Sequence, residues 1–172
     1  MNCRLAELSD IDVIIKLYET ARAFMKANGN PHQWGDNNWP PLELVEEDIN
    51  TSRCYVCELN GTIVGVFVYI YGKDCDPAYL KITDGKWLDD SAYGVIHRLA
   101  SDCTTKGVGT FCINWCYKKA GHIRIDTHSD NKPMQSLARK LNFVHCGTIY
   151  VEHDNYPRLA YEKSPVTESL NK

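Results

Sequence analysis

The stretch SDCTTKGVGTFCINWCYKKAG, residues 101–121, decides how the surrounding sequence is interpreted. Gly107 and Gly109 stand one residue apart, between a polar turn and a run with helical spacing. The first N–H groups of a helix have no acceptor within the helix, and glycines let a ligand approach them closely. The stretch therefore predicts an anion site. Taken alone, however, a Gly-x-Gly turn is more often a plain helix start, and this one lacks the full dinucleotide and P-loop motifs.

Strand patterns flank this turn and its helix on both sides. Residues 92–100, AYGVIHRLA, and residues 122–128, HIRIDTH, are predicted strands, and the helix between them ends near Lys119. A further helix is predicted after SDNKPMQ, residues 129–135. A strand, a helix and a second strand in this order form a parallel crossover. With the strands predicted elsewhere, this indicates a mixed α/β sheet that contains one parallel crossover.

The first half of the chain predicts two helices followed by a hairpin. Apolar residues recur at helical spacing over 11–25, where Ser9 and Asp12 form an approximate capping box, and again over 42–49. The Asn-Gly pair at 60–61 lies between two apolar runs and suits the positive backbone angles of a tight turn. We therefore expect two antiparallel strands joined at this pair.

The composition is that of a globular protein. Of the 172 residues, 44% are hydrophobic and 24% charged, which excludes collagen-like and wholly disordered classes. A formal net charge of -3 offers no broad basic face, so neither nucleic acid nor a membrane is expected as a partner. The first residues lack the form of a signal peptide, and we expect a cytoplasmic protein. One domain is expected over 1–163, followed by a flexible tail over 164–172.

The eight cysteines are spread through apolar strand and helix patterns. We therefore expect small, reduced core residues rather than a disulfide framework. The sequence CYVC, residues 54–57, has a spacing that also occurs in zinc and redox sites. In a strand, residues three apart point to opposite faces, so the pattern favours two core cysteines and no metal site is predicted.

The order of these segments resembles the GNAT superfamily of acetyl-CoA-dependent N-acetyltransferases, over nearly the whole chain. The resemblance is carried by the strand at 92–100, the turn KGVGT at 106–110, the amphipathic helix after it, the strand at 122–128, and the helix opened by Asp130 and Asn131. It implies a GNAT-like acyl-CoA N-acyltransferase fold, with about seven strands, about four helices and a splayed pair of parallel strands.

In that family, a Gln/Arg-x-x-Gly-x-Gly/Ala turn holds the diphosphate of coenzyme A on its backbone amides. The resemblance therefore implies acetyl-CoA as the cofactor, with a helix start as its anion site. The residues that it assigns to the diphosphate are Lys106, Gly107, Val108, Gly109 and Thr110.

Three further positions either match or depart from the family's pattern. Asn131 matches an asparagine that contacts the pantetheine arm, although an asparagine here also suits a simple N-cap. Thr104 stands where the family usually has Gln or Arg, so we expect a diphosphate grip that depends more on backbone amides. Ala138 stands where many members carry the tyrosine that protonates the leaving thiolate, so the usual general acid is missing from its place.

Acyl transfer from a thioester to an amine needs a neutral nucleophile, an oxyanion donor and a proton for the thiolate. The resemblance places the oxyanion donor on the backbone near Leu99 and Ala100. His97 and His128 are the candidate bases, because histidine accepts a proton near neutral pH. For each of them the alternative is a hydrogen-bonded structural histidine.

The missing acid has a candidate on the last strand. Tyr161 could replace the family's tyrosine, with Tyr150 or a water molecule as alternatives. Arg124 and Asp126 alternate with buried isoleucines and are expected to form a solvated pair on the other face of their strand.

Aromatic side chains on the 30–41 and 72–91 loops suggest where the acceptor binds. Trp34, Trp39 and Tyr79, together with Trp87, predict an aromatic-lined pocket for a small-molecule amine, whereas the alternative for the two loop tryptophans is closure of the core. The resemblance leaves a homodimer open. A catalytically silent CoA-binding module and a binder of another phosphorylated nucleotide are the competing functions.

Overall fold

A computed structural model of the chain describes residues 1–152 and 156–170. Within them, the seven strands are β1 (Asn2–Leu5), β2 (Cys54–Leu59), β3 (Thr62–Gly72), β4 (Tyr93–Ser101), β5 (Ile123–His128), β6 (Val144–Ile149) and β7 (Arg158–Lys163). The five α-helices are α1 (Ile11–Ala27), α2 (Leu42–Asn50), α3 (Val108–Ala120), α4 (Lys132–Lys140) and α5 (Pro165–Leu170). Across the described ranges, no helix has the length and apolar character needed to cross a membrane.

The strands form a mixed sheet in the order β1-β2-β3-β4-β5-β7-β6. β4 and β5 run parallel, with Gly94 opposite Ile123 and Val95 opposite Arg124. The β1/β2, β2/β3, β5/β7 and β6/β7 pairs are antiparallel. α3 lies between β4 and β5 in the chain, so it forms the connection of the parallel pair. The predicted mixed α/β sheet with one parallel crossover is confirmed.

The chain forms two compact units. The first comprises Met1–Tyr69 and Ile96–Trp115, and the second comprises Ile70–Val95 and the described residues from Cys116 onwards. In the first unit α1 buries residues spaced three or four apart, which is the helical period predicted from the sequence. They are Ile14, Leu17, Tyr18, Ala21 and Met25, and they share one buried cluster with residues of α2, β2 and β3.

The hairpin between β2 and β3 turns where the sequence predicts it. Asn60 and Gly61 have φ angles of 52° and 80°, as a primed two-residue turn requires. The strands pair from Leu59 opposite Thr62 to Cys54 opposite Val68, with one irregularity next to Cys57. The predicted hairpin is confirmed. It could be predicted from sequence because a tight turn depends on residues that are adjacent in the chain.

The expected capping box at Ser9 and Asp12 is wrong. The reciprocal pair is instead Glu7, which caps a single 3-10 turn (Leu8–Asp10) before α1, and Asp10, the last residue of that turn. The carboxylate of Asp10 accepts from the Glu7 amide at 2.8 Å and also pairs with Arg4 at 2.7 Å. Arg4, six residues earlier, therefore adds an ion pair to the cap that Asp10 makes.

The second unit has its own buried cluster of apolar residues. Its fully buried members are Tyr79, Tyr93, Val95, Ile149 and Ala160. Arg124 and Asp126 were expected to be a solvated pair, but Arg124 is buried, and the half-buried Asp126 lies 3.7 Å from Arg158 instead. Arg124 is buried against Glu162, and Asp126 accepts a hydrogen bond from Tyr79, so that expectation is wrong.

The segment after β7 begins with a short helix, α5 (Pro165–Leu170). Ser164 and Thr167 are buried and cap its start reciprocally: the Thr167 hydroxyl accepts from the Ser164 amide at 2.8 Å, and the Ser164 hydroxyl accepts from the Thr167 amide at 3.3 Å. Residues 171–172 of the expected tail lie outside the described residues. The domain bounds and the flexibility of the tail stay predictions.

Candidate functional site

The turn between β4 and α3 is held by one carboxylate. Asp102 accepts hydrogen bonds from the amides of Thr104 and Thr105, at 3.1 Å and 2.9 Å, and from both of their hydroxyls. Burial alone would raise the pKa of Asp102, but these hydrogen bonds outweigh it and hold the pKa below its usual range. The charged Asp102 therefore accepts hydrogen bonds from the polar groups of Thr104 and Thr105, which precede the glycine turn. The Thr104 hydroxyl and amide are both engaged within the protein.

The glycine turn itself is open. Gly107 has a φ angle of 84°, a conformation that residues with a Cβ rarely adopt, and a Cβ at this position would meet nothing within 4 Å. The first amide that donates within the helix is that of Phe111, which reaches the Gly107 carbonyl at 2.9 Å. The amides of residues 108–110 precede it and have no acceptor in the helix. Lys106 is exposed beside them. These groups form a ready anion site.

A glycine in β3 lets the start of α3 lie close to the sheet. A Cβ on Gly65 would stand 2.5 Å from Cγ1 of Val108 and 3.2 Å from the Ala100 carbonyl, so any larger residue would force these groups apart. Val108 is accordingly buried. The sequence prediction missed Gly65, although a glycine inside a strand pattern is a known sign of close backbone approach.

β4 is kinked immediately before the predicted oxyanion donors. Arg98 has a φ angle of 51° within the strand, and its guanidinium donates to the carboxylate of Asp48 at 2.6 Å. Asp48 is buried; burial raises its pKa, while the Arg98 charge opposes the rise. A positive φ in a strand interrupts its regular pairing, while Ala100 itself is buried in the core of the first unit. Leu99 and Ala100 therefore follow a defined break in β4.

His97 precedes the same kink on β4. Its side chain is half-buried, and its charge when protonated would lower the pKa of Asp48. The first unit thus brings together His97, the backbone of Leu99 and Ala100, and the glycine turn along one continuous segment. Along this segment, the kink at Arg98 is followed by a short turn and then by the start of α3.

The two loop tryptophans of the first unit pack on its core. Trp34 is buried and meets the Tyr18 ring edge-on, with 5.9 Å between the ring centroids. Trp39 is half-buried against the same cluster, and its carbonyl accepts from Arg22 at 3.1 Å. Both observations describe core closure. Trp39 is the one of the two that keeps part of its side chain accessible.

In the second unit the aromatic pair of the 72–91 loop encloses polar groups. Tyr79 is buried and donates to Asp126 at 2.8 Å, while the Trp87 indole donates to the Tyr79 carbonyl at 2.8 Å. The Arg124 guanidinium lies 4.2 Å from the centre of the Trp87 ring and 3.9 Å from that of Tyr93. Burial raises the pKa of Tyr79 well above its ordinary value. Trp87 remains half-exposed.

His128 and Asn131 lie at the junction of β5 and α4. The Nδ1 atom of the buried His128 accepts from the Asp130 amide at 3.1 Å, and its ring meets that of Tyr156 at 5.1 Å. The Asn131 side chain accepts from the Met134 amide at 3.1 Å, so it caps α4. Both residues therefore have structural contacts, and their predicted roles in chemistry stay predictions.

Tyr161 lies on β7 in the second unit and is buried beside His145, with 5.3 Å between the ring centroids. A tyrosine hydroxyl is protonated at neutral pH, and burial raises the pKa of Tyr161 further, so it holds this proton more tightly. Ala138 is fully buried in α4, with no titratable group to offer. Tyr150, the alternative acid, is exposed.

Comparisons with known proteins identify a family and solved structures that this chain resembles. The model of the acetyltransferase (GNAT) family matches residues 16–143. A GNAT-family acetyltransferase from Streptococcus agalactiae is 30% identical, with 95% of this chain and 94% of that chain covered and a TM-score of 0.84. A candidate acetyltransferase from Staphylococcus aureus is 31% identical, with 95% and 99% covered and a TM-score of 0.67.

A more distant likeness shows the fold alone. The ribosomal-protein-alanine N-acetyltransferase from Brucella melitensis is 14% identical, with 95% of this chain and 99% of that chain covered and a TM-score of 0.63. Among curated proteins, none matches this chain.

Proposed function

Because this chain belongs to the GNAT acetyltransferase family, we propose that it is an N-acetyltransferase that moves the acetyl group of acetyl-CoA to a primary amine. The observation that carries the proposal is the open start of α3. There, Gly107 adopts a φ angle of 84° beside amides that have no acceptor within the helix. Such a helix start binds phosphate groups through its N–H donors and its partial positive charge.

We assign the diphosphate of acetyl-CoA to this turn. The amides of residues 107–110 would donate to its oxygens, and the exposed Lys106 would add a charge. Asp102 already uses the hydroxyl and amide of Thr104, so the side-chain grip that the family's Gln or Arg supplies is absent here. The proposal therefore attributes most of the diphosphate affinity to the backbone.

The chemical step is direct attack of the neutral amine on the thioester carbonyl. The amides that follow the Arg98 kink, those of Leu99 and Ala100, are the proposed donors to the oxyanion. Loss of one such donor typically lowers the rate about 100- to 1,000-fold. The amine nitrogen forms a bond to the acetyl carbon, and the carbon–sulfur bond of the thioester breaks.

Two protons move during this reaction. The amine must lose one, and His97 or His128 is the proposed base. The departing thiolate must gain one, and Tyr161 is the proposed acid because a tyrosine hydroxyl carries a proton at neutral pH. Burial raises the pKa of Tyr161, which weakens it as an acid. These assignments are tested together by the pH profile of kcat/KM for the His97→Ala, His128→Ala and Tyr161→Phe variants. Unchanged turnover in both histidine variants would remove them as bases.

The proposed acceptor is an amine on a small molecule. Support comes from the predicted aromatic side chains, of which Trp39 and Trp87 remain partly accessible, whereas Trp34 and Tyr79 are buried. The Trp87 ring already has the Arg124 guanidinium 4.2 Å from its centre, so the proposal relies on apolar contact with the substrate rather than on cation binding at Trp87. Reduced cysteines also suit the cytoplasm, which we include in the proposal. The homodimer stays a prediction for light scattering.

Thermal unfolding with single ligands tests cofactor choice. Acetyl-CoA at about 100 times its Kd should stabilise the protein by about 2.7 kcal/mol, equivalent to about 5 to 10 °C in Tm. ATP and NAD at the same concentration should give much smaller shifts. A shift with ATP alone would replace the proposal with a different nucleotide binder.

A second function, a silent CoA-binding module, is favoured by the buried Ala138 at the tyrosine position. Release of free coenzyme A thiol over a panel of amines separates the two functions. Amine-dependent thiol release supports the enzyme. Acetyl-CoA stabilisation without thiol release, for primary amines of small molecules and of peptides alike, supports the silent module.

A further inference from the structure

Three cysteines from three different elements meet in the first unit. Cys3 of β1 stands directly opposite Cys57 of β2 in the strand register, and Cys112 of α3 completes the group. Their sulfur atoms all lie within 4.8 Å of one another. All three thiols are free. We call Cys3, Cys57 and Cys112 the three-cysteine cluster.

The cluster contrasts with two cysteines on the same elements. Cys54 lies on β2 within the apolar core of the first unit, and Cys116 is fully buried one turn further along α3. Neither belongs to a group of three metal-binding side chains within the described residues. The three cysteines therefore meet because of their particular positions, and not simply because this chain contains many cysteines.

The cluster lies beneath the first half of α3. A Cβ on Gly65 would stand 3.5 Å from Cβ of Cys57 and 2.5 Å from Cγ1 of Val108, so Cys57 lies next to the point where α3 contacts β3. Cys112 follows Val108 by four residues, on the same face of the helix. Hydrogen bonds with Cys3 and Cys57, together with burial, raise the pKa of the Cys112 thiol, so a metal ion has to displace its proton.

Three thiolates at this spacing suit a soft metal ion. Sulfur ligands bind zinc at about 2.3 Å, which places ligand sulfurs about 3.8 Å apart in a tetrahedral set. The sulfurs of the cluster lie within 4.8 Å of one another, so small side-chain movements bring them to that separation. Sulfur ligands select zinc and monovalent copper over hard ions. With three thiolates, a divalent ion leaves one net negative charge and a monovalent ion leaves two. Because buried uncompensated charge is costly, the divalent ion fits better.

We propose that Cys3, Cys57 and Cys112 form a binding site for one thiophilic divalent metal ion of the zinc class, which ties β1 and β2 to the start of α3. Each thiol that becomes a ligand releases one proton, so binding releases three protons and strengthens as pH rises. The site needs no oxidant and does not depend on the proposed acyl transfer. Cys3 lies on the edge strand β1 and is half-buried as a residue.

The test is a metal titration of the reduced, metal-free full chain. Cadmium reports thiolate ligation through its ultraviolet charge-transfer band, and zinc should displace it at one equivalent. Cys3→Ser, Cys57→Ser and Cys112→Ser should each lower zinc affinity by on the order of 100-fold. The matched controls Cys54→Ser and Cys116→Ser lie on the same strand and helix, and should leave the affinity unchanged.

Two further measurements keep the test informative if a buried variant unfolds. X-ray absorption of the zinc-loaded wild type should show three sulfur neighbours at about 2.3 Å. Zinc should also raise the Tm of the wild type and of the two controls, but not that of Cys3→Ser, which replaces a residue that is only half-buried.

Four results would overturn the proposal. One is the failure of the reduced wild type to bind zinc or cadmium at one equivalent. The second is equal loss of binding in the control variants. The third is a zinc-loaded protein with nitrogen and oxygen neighbours instead of sulfur. Preferential binding of monovalent copper at the same three cysteines would keep the thiolate site but overturn its divalent class.

Discussion

The start of α3 and the group around Glu162 are both polar, yet their hydrogen-bonding capacity is used in opposite ways. At the start of α3, the amides of residues 108–110 have no acceptor in the helix, and Gly107 borders open space. Glu162 is fully buried, and protein donors surround both of its oxygens. The first region is prepared for a ligand, whereas the second is already satisfied by the fold.

A binding site has hydrogen-bond donors without protein partners, whereas the polar groups of a structural cluster are bonded to one another. The donors to Glu162 are His122 at 2.7 Å, Arg124 at 3.1 Å and the Leu88 amide at 2.7 Å, with the Cys146 thiol at 3.7 Å. By residue type alone, histidine, arginine, glutamate and cysteine in one place suggest catalysis. Their partners instead join the 72–91 loop to β5, β6 and β7. Unused donors are therefore a better guide to the ligand than reactive residue types.

Replacement of the central carboxylate should have the largest effect on stability. Glu162→Gln keeps the shape of the side chain, but its NH2 group faces donors and the charge of Arg124 loses its partner. We expect a loss of about 3 to 5 kcal/mol in the free energy of unfolding, measured by urea denaturation. Glu46→Gln, on the exposed face of α2, should change it by less than about 0.5 kcal/mol.

The outcome bears directly on the contrast between the two regions. If Glu162→Gln unfolds with nearly wild-type stability while thiol release is abolished, the buried group belongs to the chemistry and the contrast fails. A large stability loss with wild-type turnover in the remaining folded protein supports it.

The kink of β4 provides the next largest effect, this time on rate. Asp48→Asn removes the charge that holds Arg98 at 2.6 Å, so the strand can relax and the amides of Leu99 and Ala100 move. We expect kcat to fall by up to about 100-fold, which corresponds to about 2.7 kcal/mol, with a small change in KM. Steady-state thiol release measures both constants.

A second ion pair of the same unit serves as the control. Asp10 accepts from Arg4 at 2.7 Å, and its hydrogen bonds hold the turn before α1 rather than β4. Asp10→Asn should lower stability without changing kcat. Equal losses of kcat in the Asp10 and Asp48 variants would show that rate follows stability, and the kink would have no specific role in positioning the donors.

A smaller effect comes from Gly107→Ala. The positive φ angle should cost about 1 to 2 kcal/mol of stability, because a Cβ disfavours the left-handed region. Gly29→Ala is a closely matched control: its φ angle is 80°, and a Cβ there also meets nothing within 4 Å. Both variants should lose similar stability, but only Gly107→Ala should weaken acetyl-CoA binding, by about 10-fold, in calorimetric titration.

The comparison of these two glycines isolates the ligand from the backbone. If both variants bind acetyl-CoA with wild-type affinity, the turn is a plain helix start and the diphosphate lies elsewhere. If both lose affinity equally, the loss reflects general destabilisation, and the assignment of the diphosphate to the α3 start has no support.

Local sequence patterns predicted the helices and strands. They did not predict the contacts between residues that are far apart in the sequence. The Asn60 and Gly61 turn follows from two adjacent residues, and the period of α1 from one segment. The partners Asp48 and Arg98 are separated by 50 residues, so no sequence window contains both. Only the folded chain shows that they meet at a kink.

The same limit explains the error at the second unit's buried arginine. Alternation along β5 predicted that Arg124 would face solvent, because a strand with one apolar face usually exposes the other. The 72–91 loop covers that face, and Trp87 and Glu162 provide a partner for the charge. Loop coverage is a tertiary property. The alternation was real, but the inference from alternation to exposure failed.

The smallest expected effect is the pH dependence of the buried group. Burial alone would raise the pKa of Glu162, but hydrogen bonds from His122 and the Leu88 amide, together with the Arg124 charge, hold it below its usual range. The stability from this lowered pKa is fully present above the unfolded value, about 4.3 for glutamate, and is lost as pH falls through the folded value. Urea midpoints between pH 6 and 3 should therefore fall more steeply in the wild type than in Glu162→Gln. Parallel curves for the two proteins would mean that Glu162 is not held ionised by its partners, and the group could no longer be described as electrostatically satisfied.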